Sequence, residues 1–418
     1  MGGGLLQLVA YGAQDVYLTG NPQITFFKAV YRRHTNFAIE AIQQTFNGTP
    51  GYGNRVTCTI ARNGDLINRV YLALDLSSET VSLCKFYGLR LLNYVEVEIG
   101  GQKIDKHYAH WMYIWNELSL PKSKQQGYYD MVGAIGGVPG ATTGLNKLLY
   151  VPLEFWFCRN VGLALPLISL QYHEVKINIA FETAKNCRGN AVDPSAGFGA
   201  SLWVDYIFLD TDERRRFAQL SHEYLIEQLQ FTGQESVQSK DIKPKLNFNH
   251  PCKELVWFVT KSYSTSEETN NNWINFTTNT DTNKIANADT TVAAITNKLT
   301  ASAVSSKNHV STAKLVLNGN DRFAQRDGLY FNLIQPFQHH ENVPQNAGIN
   351  VYSFALKPEE HQPSGTLNMS RIDTAVLNLS MNSSQTYDGT TGHNLNIYAV
   401  NYNVLRIMSG MGGIAYSN

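Results

Sequence analysis

Hydrophobic and polar residues alternate in short stretches along the whole chain, and Gly, Asn, Pro or Asp closes each stretch. Alternation with a period of two predicts half-buried β-strands. Short strands that are regularly interrupted favour a β-sandwich over a parallel sheet with helices. The first half contains the predicted strands Val56–Ala61, Val70–Leu76, Tyr94–Ile99, Val151–Cys158, Glu174–Phe181 and Leu202–Leu209. The second half contains Tyr224–Thr232, Leu246–Phe248, Leu255–Val259, Lys314–Leu317, Val351–Leu356, Ala375–Met381 and Leu395–Leu405.

One segment departs from the alternating pattern and predicts a helix. In Tyr108–Leu118 the aromatic residues Tyr108, Trp111 and Trp115 are spaced three and then four positions apart. This spacing places them on one helical face. An aromatic stripe of this kind is typical of core packing, so we expect the helix to pack inward.

The second half of the chain repeats the first half faintly. Tyr94–Lys106 alternates, breaks at Gly100-Gly101 and continues as a polar run, and Ala313–Arg326 does the same around Asn318-Gly319. Two further matches lie about 200 residues apart in this numbering, far above the period of solenoid repeats. They pair Val151–Phe157 with Val351–Lys357, and Ile177-Asn178-Ile179 with Leu377-Asn378-Leu379. A duplicated β-domain without a catalytic signature indicates a building block.

Composition is consistent with this interpretation. Of 418 residues, 43% are hydrophobic and only 16% are charged, against about 25% charged in a typical soluble protein. A surface with few charges suits packing against further copies, although an ordinary polar β-protein would look similar. The formal net charge is +0, which argues against direct, sequence-specific nucleic-acid binding. The densest basic cluster, Arg214-Arg215-Arg216, is interpreted as a solvated connector between domains.

The five cysteines are spaced too widely for a zinc motif, and their number is odd. We expect free, mostly buried thiols in a reducing compartment. The sequence shows no signal peptide and no apolar run of the roughly 20 residues that span a bilayer. The five are Cys58, Cys84, Cys158, Cys187 and Cys252.

Three segments fall outside the predicted sandwiches. A Gly-rich apolar arm precedes the first strand, and a Gly/Met-rich tail follows the last one. We expect the arm to become ordered against a neighbour, and for the tail a frayed end and a subunit contact are equally open. Between Ser262 and Thr312 lies a long Thr/Asn/Ser-rich insertion, predicted to be an exposed outer loop, as is the shorter Gly133–Gly144. The candidate subunit contacts are Leu5, Leu6, Leu8, Val9, Met408 and Met411.

The search for catalytic and metal-binding chemistry yields only weak candidates. His173-Glu174 and His222-Glu223 lack the second His of a zinc-hydrolase helix. His339-His340-Glu341 lies in a polar loop without a third ligand and is interpreted as a solvated loop. No nucleophile-elbow or phosphate-loop motif occurs, so we predict no enzyme activity, no metal and no cofactor. Of the N-x-[S/T] sequons, the glycosylation candidates are Asn275, expected to be the best exposed, Asn47 and Asn382.

Long segments resemble one protein family. The opening LLQLVAYGAQDVYLTGNPQITFFKAVYRRHTNFAIE closely resembles the amino terminus of the major capsid proteins of large nucleocytoplasmic DNA viruses, above all those of phycodnaviruses and chloroviruses. The resemblance covers nearly the whole chain and lapses in Gly133–Gly144 and Ser262–Thr312. It continues through Arg62–Ile67, Glu98–Tyr108, Gly162–Lys176, Trp203–Gly233, Leu317–Asn332, Tyr352–Asp373 and Asn401–Asn418.

The resemblance implies an all-β fold of two consecutive eight-stranded antiparallel jelly rolls, with short helices in the loops. We assign residues 1–25 to the arm, 26–212 to the first roll, 213–405 to the second and 406–418 to the tail. The family implies homotrimers that tile an icosahedral shell as pseudo-hexagonal capsomers, over an internal viral membrane and beside minor capsid proteins. It also implies assembly in the host cytoplasm, a location in the virion, and N-linked glycans on surface loops.

Two alternatives stay open at this point. A minor capsid or spike component of the same fold would differ from a major shell protein chiefly in copy number. A carbohydrate-binding jelly-roll lectin would need polar residues beside an aromatic platform, and Asn270-Asn271-Asn272-Trp273 is the one such cluster in the sequence.

Overall fold

The computed structural model describes residues 3–141, 145–188, 197–261, 273–278, 308–389 and 392–416. The chain divides into two compact units, Met1–Asn36 and Phe37–Asn418. The first unit is the arm, which extends eleven residues past the predicted boundary at residue 25. Its described helices are α1 (Gly3–Val9) and α2 (Val16–Thr19).

The first roll is built from two antiparallel sheets. One has the strand order β1-β9-β3-β6, with β7 also pairing with β3, and the other has the order β2-β8-β4-β5. Non-consecutive strands alternate between the two sheets, which is the connectivity of a jelly roll. The strands are β1 (Phe37–Gln44), β2 (Arg55–Thr59), β3 (Leu66–Asp75), β4 (Leu92–Ile99), β5 (Gln102–Tyr108), β6 (Leu148–Pro152), β7 (Leu165–Pro166), β8 (Val175–Phe181) and β9 (Gly199–Leu209).

Short helices lie in the connections of this roll, and one more joins it to the second roll. The longest pair, α4 and α5, follows β5, and the joining helix is α8. They are α3 (Tyr87–Arg90), α4 (Ala109–Ser119), α5 (Lys122–Val132), α6 (Trp156–Arg159), α7 (Ala184–Cys187) and α8 (Thr211–Gln219), with 3₁₀ turns at Val161–Leu163 and Leu167–Ser169.

The second roll repeats the same connectivity. Its sheets have the orders β10-β20-β13-β17 and β12-β19-β14-β15. Its strands are β10 (His222–Phe231), β11 (Glu235–Ser236), β12 (Asp241–Ile242), β13 (Pro251–Lys261), β14 (Val310–Leu317), β15 (Asn320–Asp321), β16 (Arg326–Asp327), β17 (Asn350–Ser353), β18 (Leu367–Asn368), β19 (Ala375–Met381), β20 (His393–Met408) and β21 (Met411–Ile414). Helical turns lie at Tyr330–Ile334, Gln335–His339 and Met369–Arg371.

The repeat seen in the sequence is also present in the fold, because equivalent strands of the two rolls pair in the same register. Val95 and Val97 of β4 pair with Ile179 and Ile177 of β8. In the second roll, Ala313 and Leu315 of β14 pair with Leu379 and Leu377 of β19.

The turns that follow β4 and β14 also match. Gly100 and Gly101 have φ values of 57° and 84°, and Asn318 and Gly319 have 48° and 81°. Two consecutive residues with positive φ form a type I′ hairpin turn, which explains why Gly or Asn occupies these positions. A double jelly roll is therefore confirmed.

The predicted helix is confirmed as α4, whose Trp111 and Trp115 are buried. Three predicted strands differ. The strand predicted for Val351–Leu356 ends at Ser353. Val151–Cys158 ends as a strand at Pro152, because Trp156–Arg159 turns into the helix α6 and buries Trp156. Leu246–Phe248 forms no strand, although its apolar residues are buried. The predicted exposed loop Gly133–Gly144 is buried at Ala134, and Gly137 pairs with Leu83.

The hydrophobic core is continuous between the rolls. One cluster fills the first roll and continues onto the second through residues such as Val256, Phe258 and Tyr398. A second cluster, which includes Trp257, Leu315 and Leu377, fills the second roll. Successive residues of β13 thus face opposite sides, one toward the roll's own core and one toward the first roll. The two rolls are therefore packed against each other as one body.

Candidate assembly surfaces

The arm presents an apolar surface that its own unit does not bury. The exposed fractions of Leu5, Leu6, Leu8 and Val9 are 56%, 65%, 78% and 73%. No described residue of Met1–Asn36 is buried. Singly exposed apolar side chains are ordinary, whereas a contiguous run marks an interaction site. The four predicted contact residues of the arm are thus left uncovered by their own unit.

The tail forms a β-hairpin, so the last strand continues past residue 405 and, of the two alternatives for the tail, the frayed end is excluded. β20 continues to Met408, and Ser409-Gly410 turn the chain into β21 with φ values of 52° and 81°. The exposed fractions of Met408 and Met411 are 50% and 52%. Both methionines therefore lie on an ordered and half-exposed hairpin.

The hairpin docks on the first roll of the same chain. The backbone N–H of Tyr172 donates to the Gly410 oxygen at 2.9 Å, and that of Ile414 donates to Gln102 Oε1 at 3.1 Å. His173 Nδ1 lies 2.9 Å from the Gly412 oxygen. Because these contacts join the last strand to the first roll, the hairpin ties both rolls together.

Gly412 is required for that docking, since a Cβ there would lie 2.5 Å from Leu170 Cδ2. We expect Gly412→Ala to displace the hairpin and to lower the free energy of unfolding by about 1–3 kcal/mol. The matched comparison is Gly413→Ala, whose Cβ would meet only Gln102 Oε1, at 3.1 Å; this atom accepts the Ile414 bond but ends a flexible side chain that can move, so the loss should be smaller. Urea unfolding of both variants checks this prediction, and equal effects would contradict it.

A buried ionic cluster lies where the rolls meet. Glu227 of β10 accepts from Lys253 Nζ at 2.7 Å and from Arg159 Nη1 at 2.9 Å through Oε2. Lys253 belongs to the second roll and Arg159 to the first, and the Arg159 guanidinium also stacks 4.8 Å from the Trp115 ring. Burial by itself would raise the pKa of Glu227, but the two cations outweigh it and hold that pKa below its usual range.

His340 corrects the prediction of a solvated loop at 339–341. Its side chain is fully buried, and Nδ1 lies 2.8 Å from Glu359 Oε1. Nε2 lies 3.1 Å from Glu254 Oε2, which is close enough for an ion pair. The angle between these two groups does not suit a hydrogen bond. Burial opposes the charge on the imidazole, but the two carboxylates prevail and raise the pKa of His340 to about 9. His340 is therefore a buried cation at neutral pH.

The three glycosylation candidates differ in exposure. Asn275 is 4% exposed, and its Oδ1 accepts from the backbone N–H and the hydroxyl of Thr277, so the prediction that it is the best exposed is wrong. Asn47 is exposed in the connection between β1 and β2. Asn382 is half-buried, and its side chain bonds to the Asn308 oxygen at 3.2 Å. Accessibility thus favours Asn47.

Most of the insertion Ser262–Thr312 lies outside the described residues, so its predicted place on the outer face stays a prediction. Two parts of it are described, 273–278 and 308–312, and neither is an exposed loop, because Asn308 and His309 are buried and β14 begins at Val310. Trp273 is buried, and its Nε1 donates to the Lys85 oxygen at 2.7 Å. This burial removes the aromatic platform that a sugar site at 270–273 would need.

The described part of the chain contains no disulfide bond, no cluster of metal ligands and no membrane-spanning helix. All five cysteines are free, and four of them are buried, as predicted. Within the described ranges no three His, Cys, Asp or Glu side chains come together as metal ligands. Nor do these ranges contain a helix with the length and apolar character needed to cross a membrane.

Comparison with known proteins identifies the family. Residues 25–210 match the model of the major capsid protein N-terminus, and residues 213–413 match the model of the large eukaryotic DNA virus major capsid protein. The chain is 53% identical to the major capsid protein of Pyramimonas orientalis virus, over all of both chains. It is 47% identical to that of Paramecium bursaria Chlorella virus 1, again over all of both chains.

A solved structure agrees in fold as well as in sequence. The PBCV-1 virus capsid model matches with a TM-score of 0.80 and 42% identity, over 94% of this chain and all of that one. The fold, with its paired jelly rolls and exposed apolar surfaces, is that of a viral shell protein. The chain belongs to the major capsid protein family of large eukaryotic DNA viruses. It is a structural protein of the virion capsid and not an enzyme.

Proposed function

We propose that the chain forms homotrimers that act as pseudo-hexagonal capsomers of an icosahedral shell. The observation that carries the proposal is the duplicated jelly roll, with the same strand order and the same type I′ turn in both copies. Three chains with two similar rolls each give six similar corners around one axis. A cyclic contact that closes at three leaves only the rim for neighbouring capsomers.

A mass and symmetry measurement on the purified protein tests this proposal. Native mass spectrometry should give the mass of three chains for the purified protein. Averaged electron-microscopy images of it should show a six-cornered outline. A stable monomer or dimer at micromolar concentration would contradict it. A major shell protein should also dominate the protein content of purified virions, whereas a minor capsid or spike component would be present in few copies.

The arm should serve assembly and not folding, because its unit contributes no buried residue. We expect deletion of residues 1–20 to leave the thermal midpoint of the two rolls within about 2 °C, and to reduce the yield of shells at least tenfold. The comparison is deletion of residues 411–416, which removes β21 and should lower the midpoint itself. Normal shell yield after deletion of the arm would contradict a role for Leu5, Leu6, Leu8 and Val9 in assembly.

We also propose the surroundings of the shell and the site at which the protein is glycosylated. We place the shell over an internal membrane, beside minor capsid proteins, with assembly in the host cytoplasm. N-linked sugar, if the virion protein carries it, attaches at Asn47 before Asn382 or Asn275, because only Asn47 is exposed among the three. Glycopeptide mapping of virion protein tests this order, and sugar on Asn275 without sugar on Asn47 would contradict it.

A further inference from the structure

The later part of the arm, residues 24–33, carries a row of apolar side chains that its own unit leaves in water. The exposed fractions of Phe26 and Phe27 are 88% and 97%, and those of Val30 and Tyr31 are 84% and 88%. Phe27 is the most exposed of the large apolar side chains in the described ranges. A ring left in water forgoes the free energy that its burial would release, so a contiguous exposed set of this kind marks an interaction site.

The same segment carries positive charge and no negative charge. Lys28, Arg32 and Arg33 are exposed, and the sequence contains no Asp or Glu between Asp15 and Glu40. Within the described residues, no ion pair includes any of the three basic side chains. The segment is therefore basic in a chain whose formal net charge is +0. A partner that covers it must bring negative charge as well as an apolar environment.

Aromatic and basic residues are interleaved along the segment, and no regular element fixes their positions. Phe26-Phe27 form a turn that Lys28 follows, and residues 29–36 contain neither helix nor strand. Tyr31 stands directly before Arg32-Arg33. Each basic side chain thus lies within two residues of an exposed ring, and the segment presents no preformed shape to a partner.

The surface of a bilayer that contains anionic lipids fits all of these properties. Aromatic rings prefer the boundary between headgroups and acyl chains, and Lys and Arg side chains reach the lipid phosphates just outside it. A bilayer needs no matching shape, whereas a folded protein would have to offer a socket for each ring. Duplex DNA would neutralise the charges but leave the rings in water, because its contacts with basic residues are made through phosphates.

We infer that residues 24–33 of the arm bind the surface of an anionic lipid bilayer. The three aromatic rings enter the headgroup boundary, and the three basic side chains contact the lipid phosphates. This role goes beyond the proposed function, which assigns the arm to shell assembly through Leu5–Val9. It needs no particular oligomeric state, because every chain carries the whole segment.

The two contributions to binding differ in size and in their response to salt. Each Lys or Arg beside an anionic surface strengthens binding about fivefold, so removing three should weaken it roughly 100-fold. Salt screens this contribution, since the Debye length falls from about 10 Å at 0.1 M to about 3 Å at 1 M. The aromatic contribution is not screened in this way, because it comes from burial of apolar surface.

Flotation of the whole chain with lipid vesicles tests the inference. Vesicles of phosphatidylcholine alone are compared with vesicles that contain about one-third phosphatidylserine, at low and at high salt. The unmodified chain should bind the phosphatidylserine vesicles at least about tenfold more tightly, and high salt should remove most of this preference. The charge variant, Lys28→Gln/Arg32→Gln/Arg33→Gln, should bind these vesicles roughly 100-fold more weakly than the unmodified chain.

A second variant tests the rings, and a third is the matched control for charge. Phe26→Ser/Phe27→Ser/Tyr31→Ser keeps all basic residues and should weaken binding at least about tenfold. The control replaces three exposed lysines of the second roll, and it should bind as the unmodified chain does. All substituted positions are exposed, so each variant should keep its thermal midpoint within about 2 °C. The control is Lys240→Gln/Lys243→Gln/Lys245→Gln.

Four results would overturn the inference. The first is the absence of flotation with phosphatidylserine vesicles, and the second is an equal loss in the charge variant and the lysine control. The third is full binding by the aromatic variant, since the rings would then stay in water. The fourth is tighter binding to duplex DNA than to vesicles, which would assign the segment to nucleic acid. The mass measurement that tests the proposed trimer is independent of all four.

Discussion

Replacing Glu227 with alanine is expected to lower the free energy of unfolding by about 3–5 kcal/mol, because it leaves two buried cations without their shared carboxylate. Lys253 Nζ is completely enclosed, and Arg159 retains only a small exposed fraction. Lys253 cannot be rehydrated without opening the junction between the rolls, so most of the loss should come from this cation. Since one cation comes from each roll, the variant should also weaken the packing of one roll on the other.

The matched control for this variant lies on the same strand. Glu223 is also paired with an arginine, Arg406, at 2.8 Å, but both side chains are more than half exposed. Glu223→Ala should therefore cost less than about 1 kcal/mol, as surface ion pairs do. Denaturant unfolding followed by circular dichroism compares the two variants. A loss at Glu227 no larger than that at Glu223 would show that the cluster does not stabilise the fold.

The alternation and the repeat predicted a duplicated β-domain, because strand period and turn chemistry are local properties, whereas the jelly-roll connectivity was predicted only by the family resemblance. The turns at Gly100-Gly101 and Asn318-Gly319 need positive φ, and Gly and Asn are the residues that favour it. Aromatic spacing likewise predicted the helix around Trp111 and Trp115. The strand predicted for Val151–Cys158 was wrong past Pro152, since apolar residues in a buried helical turn and in a buried strand look alike.

The assembly surfaces were only partly predictable. The apolar segment Leu5–Val9 of the arm can be recognised in the sequence, because it lacks the regular alternation of apolar and polar residues that marks the strands. The ionic clusters at Glu227 and His340 did not show, since their partners lie far away along the chain. One usable signal was present: Lys253-Glu254 interrupts an otherwise apolar strand, and a charge in such a place must be paired. Exposure of Asn275 could not be predicted either, because its burial depends on a distant packing partner such as Asn346, which donates to the neighbouring Ile274 oxygen.

His340 should make the protein less stable as the pH rises from about 6.5 to about 9. The imidazole has an ordinary pKa of 6.5 when unfolded, and Glu254 and Glu359 raise it to about 9 in the fold. Between these values the folded chain binds one proton more than the unfolded chain, so its stability falls with rising pH. The contribution is complete below pH 6.5 and is lost as the pH passes 9. The shift corresponds to about 3 kcal/mol.

Unfolding free energies at pH 6 and pH 9.5, compared between the unmodified chain and His340→Gln, isolate this contribution from other titrating groups. The fall in unfolding free energy between pH 6 and pH 9.5 should be smaller by roughly 3 kcal/mol in the variant than in the unmodified chain. At pH 6 the variant should be the less stable of the two. His339→Gln is the control, since the His339 ring contacts the backbone oxygen of Leu356 and not a carboxylate. If His340→Gln and the unmodified chain change in parallel with pH, the imidazole is not charged in the fold, and the two carboxylates beside it are held by other groups.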